Sequence, residues 1–266
     1  MKKILSVLLA ALLVCAFVAC GEKAPVETTV AETVAETVAE TVVETTAAPV
    51  ETTVAETTAS AAELAVMSYA EYAAAELDAP VKVECYVQAN QSWWDNKVTV
   101  YAQDADGAYF IYELACSEED AAKLVAGTKI VVTGYKAEWA GEVEIVDATF
   151  EFVEGGDSFI AEAMDVTALL GTDELINHQN KFVSFKGLTV SAIEFKNGES
   201  GDDIYVTVSK DGNDYSFCVE RYLTGPETEV YAAVSALNAG DVVDVEGFLY
   251  WYEGVNTHIT AVAKAQ

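Results

Sequence analysis

Any chemistry in this 266-residue chain must be built from two histidines, five cysteines, a scatter of carboxylates and a set of aromatics at loop-like positions. His178 falls in a segment with helical character and reads as a solvated polar residue. His258 opens a strand-like run and reads as a satisfied surface histidine within reach of a ligand. No GxSxG, HExxH or glycine-rich phosphate loop is present, so the sequence predicts no catalysis and no cofactor. Asp104 with Asp106, and Asp211 with Asp214, hint at calcium. Neither stretch continues into a calcium loop closed by a glutamate at its twelfth position, so both read as turn formers and no metal is expected. Cys15 and Cys20 belong to an apolar leader. Cys85, Cys116 and Cys218 sit in apolar strand-like contexts without a CxxC pair. They read as buried free thiols, with one disulfide plus a spare thiol as the other option.

The aromatics are the strongest functional signal. Alternation and loop position single out Trp93, Trp94, Tyr101, Phe110, Tyr112 and Trp139, and further along Tyr205, Tyr250, Trp251 and Tyr252. Such rings suit stacking against flat ligand faces. The competing reading is that they plug the ends of a fold or form the contact between two units.

The elements that would position these rings come in duplicate. Gly127, Gly134 and Gly141 match Gly240, Gly247 and Gly254 at a constant offset of 113 residues. In the first copy the pattern predicts a short helix over 69–77 closed by Pro80. A half-buried strand follows, with Val81, Val83, Cys85 and Val87 on one face. Val98, Val100 and Ala102 mark a second strand, Asp104-Ala105-Asp106-Gly107 a hairpin turn, and 109–114 the returning strand. Ser117-Glu118-Glu119-Asp120 opens a helix ended by Gly127, and strands four and five surround Trp139. The second copy predicts partial helix over 164–180, strands over 182–190, 204–209 and 215–220, a helix over 230–237, and strands at Val243 and 258–262. Three strands, a helix and two strands is the order of the OB-fold, a partly open Greek-key barrel. The expected class is all-β with short helices: two tandem five-stranded OB-fold barrels, over 66–155 and 156–266. An SH3-like barrel or a sandwich is the alternative, with the helix between strands three and four against both. Gly134 and Gly247 would sit where strand four bends.

Charge limits the partners. From residue 66 onward the chain carries 35 acidic and 11 basic residues, a net charge of −24. That counts against nucleic acid, because phosphate binding rests on lysine and arginine, and leaves an uncharged or cationic ligand.

The N-terminus supplies an expected address. Met1 to Ala19 has Lys2 and Lys3 followed by an apolar run too short to span a membrane. Phe17-Val18-Ala19-Cys20-Gly21 resembles the lipobox of bacterial lipoproteins, which implies lipidation at Cys20 and a membrane anchor through its acyl chains. Residues 20–65 collapse onto Glu, Thr, Val and Ala, with Thr-Val-Ala-Glu repeating from Thr29. This predicts a disordered acidic tether. The strand order, with Gln91-Ser92-Trp93-Trp94, Gly134-Tyr135-Lys136-Ala137-Glu138-Trp139 and Gly247-Phe248-Leu249-Tyr250-Trp251-Tyr252-Glu253-Gly254, resembles tandem OB-fold bacterial lipoproteins. The resemblance implies an extracytoplasmic, lipid-anchored binding protein whose ligand is a glycan, a wall fragment or a protein. The alternatives are a single-stranded nucleic-acid-binding protein or an accessory module of an envelope enzyme. The oligomeric state is not legible.

Overall fold

The computed structural model describes residues 64–265. The expected signal segment, Cys20 and nearly all of the expected tether therefore lie outside the described residues. Among those described, no helix is long and apolar enough to cross a membrane.

A helix α1 (Tyr69–Ala74) precedes a five-stranded barrel made of β1 (Pro80–Asn90), β2 (Lys97–Gln103), β3 (Ala108–Ala115), β4 (Lys129–Trp139) and β5 (Glu142–Phe152). A one-turn helix α2 (Glu118–Ala121) lies between β3 and β4. The strands close in the order β1-β2-β3-β5-β4, with β3 and β5 parallel. Closure leaves this sheet without a free edge and gives it the OB-like order. Along β1, Val81, Val83, Cys85 and Val87 are all fully buried, as the period of two requires. They meet Val100, Ile111, Ile130, Val132 and Ile145 in the barrel core.

Local chemistry moved several helix ends from their expected places. Helix α1 stops at Ala74, and Pro80 opens β1 instead of closing a helix; proline tolerates the first position of a strand. The full capping box sits at Ser68 and Glu71. Ser117 caps α2 by accepting the Asp120 N–H, yet α2 ends at Ala121. Gly127, at φ +86°, turns the chain into β4 and donates its N–H to the Val87 carbonyl.

The second half holds β6 (Met164–Asp165), β7 (Phe182–Phe195), β8 (Ile204–Lys210), β9 (Asn213–Val219), helix α3 (Glu229–Ser235), β10 (Val242–Phe248) and β11 (His258–Lys264). They form a six-stranded sheet in the order β10-β11-β9-β8-β7-β6, with β10 also paired to β7. The expected second five-stranded barrel is thus corrected. Strand β6 adds a sixth strand beside β7, and β9 meets β11 through the single pair His258 and Cys218. The expected partial helix over 164–180 takes the form of two short 3₁₀ helices, Thr167–Leu169 and Leu175–His178, preceded by the strand β6. Asp165 takes both the backbone N–H and the hydroxyl of Thr167, a local bond that competes with helix formation. Gly171 then reverses the chain at φ +87°.

Gly134 and Gly247 stand at register shifts of the fourth strand in each copy. A Cβ on Gly134 would lie 2.7 Å from the Val146 carbonyl oxygen, and one on Gly247 would collide with the carbonyl oxygen of His258. Glycine is required there by the neighbouring backbone.

An aromatic cleft between the two sheets

The two halves lie within one compact unit and are joined by their own aromatics. Tyr101, Phe110 and Phe248 are buried together, with Ala89, Phe182, Leu223 and Tyr250 packed around them. Tyr101 stacks on Phe248 at 4.5 Å, and Phe110 meets Tyr250 edge-on at 5.2 Å. Offset and edge-on rings are the favoured aromatic geometries. Tyr101 on β2 and Phe110 on β3 were expected among the ligand-binding rings. They do leave the barrel, but the second sheet covers them.

The β4–β5 hairpin completes the junction. Ala140 and Gly141 both take positive φ, +53° and +92°, giving the tight two-residue turn that matches strand twist. The second half grips this tip. Gln179 accepts the Val143 N–H and donates to the Gly141 carbonyl, and Glu253 donates its N–H to the Ala140 carbonyl. Glu142, fully buried, accepts the Trp251 N–H at 2.8 Å, while its other carboxyl oxygen has no partner among the described residues. Burial pushes the Glu142 carboxyl up to about 9, so it sits protonated and neutral at pH 7. Trp251, expected among the ligand-binding rings, is half-buried against the second core and serves this junction.

Beside the junction a cleft of about 730 Å³ opens, a size typical of small-ligand sites. Phe110, Tyr112, Trp139, Tyr205, Tyr250 and Tyr252 line it, so six of the ten expected rings converge on one space. Trp139 and Tyr252, one from each half, approach to 5.2 Å. Trp93 and Trp94 part company. Trp93 donates its indole N–H to the Cys116 carbonyl and packs on the barrel core, whereas Trp94 is 71% exposed and lines a neighbouring groove.

Polar groups share the cleft: Gln91, Glu144, Asp203, Glu220 and Asn256, none of them expected there, and the ring of His258. Gln91 donates from Nε2 to the Tyr101 hydroxyl at 3.1 Å, and that hydroxyl lies 2.6 Å from His258 Nδ1. In the tautomer with hydrogen on Nε2, the Tyr101 hydroxyl donates to Nδ1 while accepting from Gln91. Burial holds His258 neutral, with its pKa lowered to about 3. His258 is thus a buried cleft residue, contrary to its reading as a surface one, and it stacks on Tyr250 at 4.2 Å.

Burial pushes the Glu220 carboxyl up to about 7 against two backbone N–H bonds, from Tyr222 and Leu223, that favour its charged form. Burial raises Glu144 as well. Asp203 is held by the Lys196 ammonium at 2.9 Å. Cys218 also reaches the cleft, but burial raises its thiol, which keeps it in the unreactive form. Cys85, Cys116 and Cys218 are all free and buried. Of the expected calcium-like pairs, Asp104 accepts the N–H groups of Asp106 and Gly107 as a turn former. Among the described residues no cluster of three or more His, Cys, Asp or Glu could hold a metal. Glu142, Glu144 and Glu220 are ordinary carboxylates in an acidic sequence; only their burial distinguishes them.

No family model and no curated protein matches the chain. Among solved structures, a murine DNA-binding protein bound with double-stranded DNA is 10% identical, covering 70% of this chain and 96% of that one at a TM-score of 0.35. The p204 HINb domain is 14% identical, covering 71% and 98% at 0.33. A replication protein A heterotrimer bound to single-stranded DNA is 12% identical, covering 68% and 49% at 0.28. Likeness at this level carries no ligand from those proteins to this chain. The expected resemblance is corrected: two of these structures are bound to DNA, and none of the three is described as a bacterial lipoprotein. The lipid-anchored, extracytoplasmic location and the glycan, wall-fragment or protein ligand are withdrawn with it. The exclusion of nucleic acid is withdrawn too.

Proposed function

We propose that this chain is a non-catalytic module that binds single-stranded nucleic acid by stacking unpaired bases in the cleft between its two halves. The observation that carries the reading is the convergence of Phe110, Tyr112, Trp139, Tyr205, Tyr250 and Tyr252 on one cleft. Stacking on aromatic side chains needs an exposed base face, which a single strand presents and a paired duplex does not. The polar groups fit base edges. The His258 Nε2–H can donate to a ring nitrogen or keto oxygen, and Glu144 or Glu220 can accept from an exocyclic amine. We read the second sheet as an opened barrel of the same topology as the first, so the cleft lies between tandem modules over 66–155 and 156–266.

The acid surplus determines how such binding would work. Cations are too few to track many phosphates, so stacking must supply most of the affinity. With no more than two phosphates neutralised, log K should fall against log salt with a slope no steeper than about −1.4. Fluorescence anisotropy of 5′-labelled oligothymidylate, single-stranded and as a duplex with its complement, tests the reading. Preference for the single strand is expected. Tyr112→Ala and Tyr250→Ala should each weaken binding by roughly 5- to 150-fold, the range of one lost stacking contact. Absence of saturable binding up to ~10⁻⁴ M, the weak end of ordinary non-specific binding, would refute it.

A further inference from the structure

A second groove of about 290 Å³ adjoins the cleft, and Gln91 and Tyr112 line both. Its other walls include Ser92, Trp94, Lys97 and Tyr222. The construction is rigid at its most exposed point. Trp94 and Lys97 exchange both backbone hydrogen bonds, at 3.0 and 2.9 Å, across Asp95 and Asn96 at φ +49° and +60°. This is a two-residue hairpin turn of the type that matches strand twist. It holds a 71%-exposed indole beside a lysine. From below, Trp93 pins the same loop through its bond to the Cys116 carbonyl. The facing wall comes from the second half. The Tyr222 carbonyl accepts the Ser92 N–H at 2.7 Å, its ring is 49% exposed, and the Arg221 guanidinium lies 5.0 Å from that ring.

The two spaces differ in charge. Carboxyl groups line the cleft without a lysine or arginine, whereas the groove holds Lys97 beside one carboxylate, Glu113, and Arg221 stacks on its Tyr222 wall. Lys97 is held by Glu113 at 2.7 Å in an exposed pair, and Arg221 lies 3.8 Å from Asp202. Exposed pairs of this kind are worth little, so both cations can turn to a phosphate. We propose that the groove is a further nucleotide subsite for the same single strand. Bases stack on both Trp94 and Tyr222, and the neighbouring phosphates meet Lys97 and Arg221. This rests on the cleft binding single-stranded nucleic acid. It implies a ligand that is an oligomer spanning both spaces, not a lone nucleotide.

The test uses the full chain with labelled oligothymidylates of ~4 and ~10 nucleotides, lengths that bracket the lower range of one OB-fold site. The longer strand should bind wild type at least tenfold more tightly. Trp94→Ala and Tyr222→Ala should each abolish most of that gain while leaving the short strand within twofold. Binding of the short strand should itself be lost in Tyr250→Ala. Both substituted groove residues are exposed, and unchanged thermal unfolding would confirm an intact fold. If the length gain is absent, or persists in Trp94→Ala, the groove is not a subsite and the cleft reading stands. If neither strand binds wild type, the cleft reading fails and this one falls with it.

Discussion

Replacing Glu142 by glutamine should change the pH dependence of stability more than stability itself. The Glu142 carboxyl is fully buried where the β4–β5 hairpin enters the second half, and it accepts the Trp251 N–H at 2.8 Å. Burial raises it to about 9 from the ordinary glutamate value. A folded-state pKa above the unfolded one contributes stability that is fully present below the unfolded pKa, and it is lost as pH rises through the folded value. Between pH 7 and pH 9 the unfolded state has already released this proton while the folded state still holds it. Wild type should therefore lose about 2 kcal/mol over that interval from this group alone. Glutamine keeps a carbonyl for the Trp251 N–H and has no proton to lose. Other titrating groups, Glu144 among them, are common to both proteins and cancel in the difference. Urea unfolding followed by tryptophan fluorescence at pH 7, 8 and 9 measures it: the stability of Glu142→Gln relative to wild type should grow by about 2 kcal/mol across the series. Parallel stability curves would show that Glu142 is not held protonated in the folded protein. A loss of more than ~3 kcal/mol at pH 7 would mean that the second carboxyl oxygen has a partner that glutamine cannot satisfy.

Two further outcomes follow from the same geometry. Because burial puts Glu220 at about 7 in the cleft, oligonucleotide affinity should rise as pH falls from 8 to 6, when the carboxylate that would repel phosphates is neutralised. Glu220→Gln should bind at pH 8 as tightly as wild type does at pH 6, and anisotropy titrations at the two pH values would detect it. Gly247→Ala should destabilise the protein by roughly 1–3 kcal/mol, since its Cβ would collide with the His258 carbonyl oxygen; calorimetric unfolding showing no loss would mean that β11 yields freely there.

Much of the fold was legible because it rests on local chemistry. Val81, Val83, Cys85 and Val87 alternate because a strand has two faces, and they lie inside because one face must be covered. The paired glycines announced a duplication because two backbones pass too closely at Gly134 and Gly247 to admit a Cβ. The turn at Asp104 to Gly107 and the cap at Ser117 were readable for the same reason: each is satisfied within a few residues. Where a short side-chain bond competed with a longer-range pattern, as at Asp165 and Thr167, periodicity misled and a helix was expected where a strand and turns occur.

The site was only half legible. The sequence names the aromatic rings but does not say which of them are covered. Tyr101 and Phe110 alternate as surface residues of the barrel and are buried because a second sheet packs on them. Nor could an acidic sequence distinguish Glu142 or Glu220 from its other carboxylates, since their properties come from the water that the opposing half excludes. Most of the strands, the repeat and the supply of aromatic rings depend on neighbours along the chain and were readable for that reason. Which rings form the junction and which the cleft, the burial of His258 and the protonated state of Glu142 came only with the packing of the two halves. Each of these depends on groups far apart in sequence, such as Tyr101 with His258 and Glu142 with Trp251, being brought together out of water.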